Sequence, residues 1–149
     1  MATIKQKITT FLWYDNQALE AAKFYCSLFT GSTVLSANPM IVSFELAGQK
    51  FTAMNGGPKF KFTEAISLYV DCEDQREVDE LWSKLTADGG SESMCGWLKD
   101  KYGLSWQIIP KRLIELMTDK DQAKAQRVMQ AMLKMRKIDV ATLEAAYKG

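Results

Sequence analysis

The sequence predicts an α+β fold of two tandem βαβββ modules, about residues 7–56 and 64–110, followed by C-terminal helices over about 111–149. Two observations predict it. Short runs of β-branched and aromatic residues alternate with apolar stripes at helical spacing, and the same order of segments occurs twice. A chain of 149 residues with 47% apolar content can bury one core, so we expect a single domain over residues 1–149.

The first module begins with the run ITTFLWY, Ile8–Tyr14, which is typical of a strand. An apolar stripe then predicts a helix from near Gln17 that ends at Gly31; its members are Ala21, Phe24, Tyr25, Leu28 and Phe29. Turn-forming residues divide the remainder of the module into short pieces. We therefore expect three further strands, Ser32–Ser36, Ile41–Leu46 and Lys50–Met54.

The second module repeats this order. Leu12 and Trp13 recur 56 residues later as Leu68 and Tyr69, within a predicted strand Ile66–Val70. The stripe of the second helix follows, as Val78, Leu81, Trp82 and Leu85. The stretch CGWLKDKYGLSWQIIP, Cys95–Pro110, then supplies the last two strands, with Ser105–Ile109 as the counterpart of Lys50–Met54.

Strand alternation assigns side chains to the two faces of each sheet. In the strand that opens the second module, Ile66, Leu68 and Val70 are expected to face the helix. The opposite face then carries Ala65, Ser67 and Tyr69, and by the repeat Thr9, Phe11 and Trp13 in the first module. We expect these mixed polar and aromatic faces to form a cup, as ligand sites often do.

After Pro110 the pattern is helical to the end of the sequence. A short helix is predicted over Leu113–Met117 and a longer one from about Lys120, and Asp139 is placed to cap a last helical segment. One side of the longer helix is rich in methionine: Ala125, Val128, Met129, Met132 and Met135. This side either covers the domain's own sheet or docks on a second subunit, because methionine adapts to irregular surfaces.

Composition narrows the classes of partner and of chemistry. The 19 basic and 18 acidic residues give a net charge of +1, which provides no strong field for nucleic acid or an anionic membrane. No run of about 18 apolar residues predicts a membrane span. Three widely spaced cysteines favour a reduced, cytoplasmic setting. Histidine is absent, so mechanisms with a histidine base or ligand are excluded.

The motifs TTFLWYDNQALEAAKFYCSLF, NGGPKFKFTEAISLYVDC and MCGWLKDKYGLSWQIIP, within the duplicated pattern, resemble the PhnB-like branch of the glyoxalase and bleomycin-resistance superfamily. That branch often carries the label 3-demethylubiquinone-9 3-methyltransferase. The resemblance covers nearly the whole chain and implies the glyoxalase/bleomycin-resistance fold. It also implies a homodimer, since members often complete their cups by pairing modules.

The resemblance further implies where a metal would bind. Metal-dependent members place His, Glu or Gln on the first and last strands of each module, at positions that match Thr9, Thr52, Ala65 and Gln107 here. Only Gln107 keeps a ligand-type side chain, so we predict no metal. Neither glycine pair, Gly56-Gly57 or Gly89-Gly90, opens a helix after a strand, so the methyltransferase label has no cofactor motif behind it and we expect no cofactor.

The predicted ligand-binding residues are Phe11, Trp13, Tyr69, Trp97 and Gln107. The aromatic members of this set would hold a flat or apolar molecule by stacking; core filling is the alternative for each. Trp106 alternates with Gln107 and is expected to face the helix layer.

Three residues are candidates for catalysis: Glu64, Cys95 and Asp100. A carboxyl with a pKa raised in an apolar cup moves protons, and a thiol with a basic neighbour such as Lys99 is a nucleophile. The structural alternatives are a buried hydrophobic role for Cys95 and a turn-forming role for Asp100.

The sequence as a whole therefore favours a metal-free protein that binds an unknown small molecule. A small-molecule transferase or lyase is the enzymatic alternative. A third hypothesis is an interaction module that uses the methionine-bearing helix.

Overall fold

The computed structural model describes residues 5–149. The chain divides into two compact units, Met1–Phe62 and Thr63–Gly149, at the boundary between the two predicted modules. Each unit contains one four-stranded sheet, and the strand order is the same in both. The α+β fold with two βαβββ modules and C-terminal helices is confirmed, while the single domain stays a prediction.

Unit 1 has the predicted order of elements, with bounds that differ by at most three residues. They are β1 (Thr10–Tyr14), α1 (Ala18–Leu28), β2 (Thr33–Ala37), β3 (Ile41–Leu46) and β4 (Gln49–Asn55). The sheet order is β1-β4-β3-β2. Strand β1 runs parallel to β4, and the other two pairs are antiparallel.

The core of unit 1 lies between α1 and the sheet. Ala18, Ala21, Ala22 and Tyr25 of α1 are buried, and the small side chains of the three alanines allow a close approach to the strands. The first turn of α1 has no side-chain cap of its own. Asn55 at the end of β4 caps the helix instead, because its Oδ1 accepts a hydrogen bond from the Ala18 N–H at 2.8 Å.

Unit 2 repeats the architecture with shorter edge strands. Its elements are β5 (Ser67–Cys72), α2 (Gln75–Thr86), β6 (Ser91–Glu92), β7 (Trp97–Lys99) and β8 (Ser105–Pro110). Asp74 caps α2 by accepting a hydrogen bond from the Glu77 N–H at 3.0 Å. All four members of the predicted helical stripe are buried: Val78, Leu81, Trp82 and Leu85. The predicted burial of Trp106 is also confirmed.

The prediction for Ile66 is wrong. Residues 64–66 form a turn and bend before β5 begins at Ser67, and the Ile66 side chain is 64% exposed. The residues of β5 on the helix-facing side are therefore Leu68, Val70 and Cys72, of which Cys72 is fully buried. A period-two pattern cannot show where a strand starts, because a residue outside the strand can match the alternation by chance.

The C-terminal segment folds as α3 (Lys111–Met117), α4 (Gln122–Met132) and α5 (Val140–Lys148). The predicted cap is confirmed, because Asp139 accepts a hydrogen bond from the Thr142 N–H at 3.3 Å. These helices share one apolar cluster with the end of β8: Ile109, Leu113, Leu116, Val128, Ile138 and Leu143. The methionine-bearing side thus packs within the chain, against the other C-terminal helices and Ile109 of β8, except for Met129, which is 37% exposed.

The segment that joins α4 to α5 is tied to the rest of unit 2 by backbone hydrogen bonds. The N–H groups of Cys95 and Gly96 donate to the carbonyls of Met135 and Arg136, at 2.7 and 2.8 Å. Gln75 of α2 donates to the Ile138 carbonyl at 2.9 Å. The helical extension is therefore part of this unit's core. Across residues 5–149, none of the helices is long and apolar enough to span a membrane.

Candidate functional site

Three of the five predicted ligand-binding residues lie side by side on unit 2. Gln107 of β8 is paired with Tyr69 of β5 on one side and with Trp97 of β7 on the other. These three residues, here called the aromatic row, lie on the face of the sheet opposite α2, which we call the open face. Tyr69 is 48% exposed, and Trp97 and Gln107 are half-buried. The row offers two aromatic groups and one amide to a bound molecule.

A second row of polar side chains lies next to the aromatic row on the same face. It consists of Ser67, Ser105, Lys99 and Ser91, which follow one another across β5, β8, β7 and β6. The two rows are joined because Gln107 Nε2 donates a hydrogen bond to Ser67 Oγ at 2.9 Å. On the far side of the aromatic row, Ile109 is covered by the C-terminal helices.

The polar row borders a cavity of about 250 Å³. Its lining includes Ser91, Lys99 and Ser105 from the polar row, Trp97 from the aromatic row, and Glu64 from the turn before β5. Two sequence-predicted residues, Trp97 and Glu64, therefore meet here. The volume lies just below the roughly 300–1,000 Å³ of pockets for drug-sized ligands, so the cavity suits a smaller molecule.

Glu64 and Lys99 form an ion pair at this cavity. The hydrogen bond from the Lys99 ammonium holds the pKa of the Glu64 carboxyl below its usual value of 4.5, with the Lys99 charge acting in the same direction. The raised pKa expected for Glu64 is thus wrong, since the carboxyl has a cationic partner and lies in no apolar pocket. A carboxylate of this kind is a weak base at neutral pH.

Asp100 and Cys95 do not line the cavity. Asp100 is only 2% exposed and accepts hydrogen bonds from the Tyr102 and Leu104 N–H groups and from Trp106 Nε1. These contacts confirm its turn-forming role. Cys95 lies before β7 in a left-handed conformation, with φ of 59°, so the alternation of a regular strand does not place its side chain on the face of Trp97. Catalysis by either residue stays a prediction without support from this geometry.

The two predicted residues of unit 1 differ in their freedom to meet a ligand. Phe11 lies beside Thr52 and is 56% exposed. Trp13 lies two residues on and is held in place, because its Nε1 donates to the Gly57 carbonyl at 2.9 Å and Phe60 packs edge-on at 5.0 Å. Gly56 lies directly under the indole, where a Cβ would come within 2.3 Å of the ring. The Trp13 side chain is therefore held in one orientation by its neighbours within unit 1.

The sequence repeat matched Thr52 of β4 with Gln107 of β8, and this match is wrong by two residues. Tyr69 is paired with Gln107, but its counterpart Trp13 is paired with Met54, and Thr52 is paired with Phe11. A shift of two residues keeps each side chain on the same face, so the assignment of Gln107 and Thr52 to the open faces is unaffected.

The positions implied for a metal do not fit a divalent ion. Thr9 and Ala65 precede the first strands of their units and are exposed. Gln107 already donates its amide to Ser67. The two hydroxyls of Thr9 and Thr52, one methyl group and one neutral amide lack the imidazole and carboxylate donors that such ions prefer. Among residues 5–149, no three Cys, Asp or Glu side chains come together in a group able to hold a metal ion.

Sequence reasoning missed Ser105 as a site residue. Its position two residues before Gln107 in the same strand was the signal available, because alternation places both on the open face. Its burial and its place in the cavity depend on β6 and β7, which the sequence pattern defines poorly because they have only two and three residues.

Known protein families and solved structures include several that are similar to this chain. The model of a family described as 3-demethylubiquinone-9 3-methyltransferase matches residues 6–109. The chain is 38% identical to the PhnB protein from Bacillus cereus, with a TM-score of 0.65, covering 70% of this chain and 99% of that one. The helices from Lys111 onward lie beyond the residues that the family model matches. A search of curated proteins finds no match.

More distant structures share the fold. Protein PA1353 from Pseudomonas aeruginosa is 18% identical, with a TM-score of 0.59, over 72% of this chain and 98% of that one. A glyoxalase-related enzyme from Fulvimarina pelagi is also 18% identical, with a TM-score of 0.50, over 70% and 88%. At these identities the likeness shows the fold alone.

Proposed function

This chain belongs to the family described as 3-demethylubiquinone-9 3-methyltransferase, and we propose that it is a metal-free protein that binds a small molecule on the open face of unit 2. The observation that carries the proposal is the meeting of Tyr69, Gln107 and Trp97 in one row beside a cavity that Trp97 also lines. Aromatic walls with a few placed polar groups are the usual composition of a small-molecule site.

Binding without a metal is supported by the chemistry of the side chains. The open face of unit 2 offers hydroxyl, amide, ammonium and indole groups, which recognise a ligand by hydrogen bonding and stacking. The two carboxylates that line its cavity, Glu64 and Glu92, are paired with Lys99 and Arg136. Elemental analysis of purified protein is expected to find no stoichiometric transition metal. One equivalent of zinc, nickel, iron or manganese would contradict this part of the proposal.

The name of the family does not by itself supply a mechanism for this chain. Gly56 and Gly57 follow β4 and lead into a loop, and Gly89 and Gly90 follow α2, so neither pair stands between a strand and the start of a helix. Adenosylmethionine enzymes of the doubly wound type bind the cofactor at such a turn. The geometry therefore supports binding better than methyl transfer by that route.

The binding proposal is tested by amide NMR of the labelled protein during titration with a library of small fragments. We expect a subset of fragments to shift the resonances of Tyr69, Trp97 and Gln107. Removing the indole in Trp97→Ala is expected to weaken these fragments about two- to tenfold, which is the usual contribution of one aromatic contact. Leu133→Ala, a change to a half-exposed side chain on the C-terminal helical segment, is the control and should leave binding unchanged.

Two results would contradict the proposal. One is binding of fragments elsewhere with no shift at the aromatic row; the other is equal affinity in the wild type and Trp97→Ala. The homodimer, the cytoplasmic location and the absence of nucleic-acid binding stay predictions. Light scattering tests the first, because two chains of 16.8 kDa would double the measured mass.

A further inference from the structure

Ser105 differs from the other polar residues of the cavity because its hydroxyl is buried without a partner. The residue is 1% exposed, and across residues 5–149 its Oγ has no hydrogen-bond partner. The same residue lines the cavity. A buried hydroxyl without a hydrogen bond is unfavourable, and a ligand that supplies one would remove that cost. Ser105 thus points to a ligand with a hydrogen-bonding group at this depth.

The charged groups around the cavity are already paired with one another. Lys99 is paired with Glu64. Glu92 accepts a hydrogen bond from Trp82 Nε1 at 2.7 Å and has Arg136 within 3.6 Å. Two cations and two carboxylates give no net charge at this place. An anionic ligand would have to displace Glu64 from Lys99 and would leave a carboxylate beside it, so the site does not favour an anion.

The uncharged groups of the cavity are able both to donate and to accept hydrogen bonds. Ser91 and Ser93 add two hydroxyls to that of Ser105, and each hydroxyl carries one donor and two acceptor sites. The indole of Trp97 adds apolar surface to the lining. A partner that matches this set has hydroxyl groups of its own on a short carbon skeleton, because such groups also donate and accept while the C–H surface packs on the indole.

We infer that the cavity of unit 2 selects a small, uncharged, hydroxylated molecule of the polyol class, with Ser105 as the residue that determines this specificity. The inference rests on the proposed function, since it names the ligand class for the same open face. Ser105 forms one hydrogen bond with a ligand hydroxyl, either as donor or as acceptor. Trp97 packs on the carbon chain of the ligand, and the ion pair between Glu64 and Lys99 stays intact.

The test compares neutral polyols with acids of the same chain length by amide NMR titration. Glycerol, erythritol and ribitol are the neutral probes, and glycerate, erythronate and ribonate are their carboxylate counterparts. We expect at least one polyol to shift the resonances of Ser105, Lys99 and Trp97 and to bind more tightly than its matched acid. Ser105→Ala is expected to weaken that polyol about three- to tenfold, the effect of one neutral hydrogen bond.

Ser83→Ala, a change to an exposed serine on α2, is the matched control and should not alter the affinity. Without ligand, Ser105→Ala is expected to melt at a higher temperature than the wild type, because an unpaired buried hydroxyl has been removed. This gain separates a ligand contact from a structural role, since loss of a structural hydrogen bond would lower the melting temperature. If Ser105→Ala does not fold, Ser105→Cys replaces it, because a thiol is a weak donor and acceptor.

Failure of this inference can be distinguished from failure of the proposed function. If library fragments shift the aromatic row but no polyol binds, or the acids bind at least as tightly, the inference is overturned and the binding function stands. Equal polyol affinity of Ser105→Ala and the wild type also overturns it. If no fragment of any kind shifts the row, both the inference and the proposed function fail.

Discussion

The open faces of the two sheets have different chemistry although the strand order is the same. In unit 1, the row that contains Trp13 continues through Met54 and Ile41 and is apolar, and the row beside it is polar beyond Phe11, with Thr52, Ser43 and Ser36. In unit 2, the corresponding surface carries the aromatic row with Gln107, followed by the polar row and its cavity. The contrast lies in the rows of Trp13 and Tyr69, because unit 1 has apolar Met54 and Ile41 where unit 2 has Gln107 and Trp97.

This difference shows which part of a duplicated module is free to change. The helix-facing side of each sheet must fill a core, so in both units it is made of buried apolar residues such as Phe44 in unit 1 and Ile108 in unit 2. The open side has no such requirement, and its residues can therefore differ between the units without loss of the fold. Recognition chemistry is expected on the side that packing does not fix.

The largest effect on the free energy of unfolding is expected from substitutions in the two hairpin loops. In unit 1, β3 and β4 are joined by the two residues Ala47 and Gly48, whereas the β7–β8 loop of unit 2 is organised by Asp100. Asp100→Ala leaves three donors without their acceptor and is expected to lower the free energy of unfolding by about 3–5 kcal/mol. Ala47→Gly, at a left-handed position, is expected to change it by less than about 1 kcal/mol. Urea unfolding followed by circular dichroism measures both.

A loss of less than about 1 kcal/mol for Asp100→Ala would show that water replaces the lost acceptor. The loop would then not be organised by this carboxylate, and the contrast between the two hairpins would disappear.

Substitution of the two candidate-site tryptophans, Trp13 and Trp97, is expected to have an intermediate effect on stability. Trp13→Phe removes the hydrogen bond to the Gly57 carbonyl and is expected to cost about 1 kcal/mol and to speed amide exchange in residues 57–60. Trp97→Phe is expected to cost less, because no hydrogen bond from its indole is found within residues 5–149, and to weaken ligands more than Trp13→Phe does. The comparison fails if Trp97→Phe is the more destabilising change or if Trp13→Phe is the more damaging to binding.

The smallest effect is expected for the ion pair between Glu64 and Lys99, which is exposed. The folded state lowers the pKa of Glu64, so the pair stabilises the protein above the usual carboxyl value of 4.5 and this contribution is lost as the pH falls further. The difference in melting temperature between the wild type and Glu64→Gln should therefore be present at pH 7 and disappear in acid. High salt should reduce it at pH 7. A difference that grows in acid would contradict the assignment.

Much of the fold was predictable because its signals are local. Periodicity gave the order of strands and helices, the buried side of α2 and the cap at Asp139. Alternation also placed Tyr69, Trp97 and Gln107 on one face, and the two-residue error in the register did not change this. The wrong assignment, Ile66, lies where the alternating pattern continues beyond the first residue of a strand.

The sequence by itself thus determined the duplicated fold, the two faces of each sheet and the set of residues available to a ligand. Only the tertiary structure decided that Glu64 meets Lys99, that Asp100 is occupied by three donors, that Trp13 is held in place, and that Ser105 is buried without a partner. The physical reason is that a side chain's facing direction follows from its own strand. Its hydrogen bonds, its pKa and its burial depend on distant segments that the fold brings beside it.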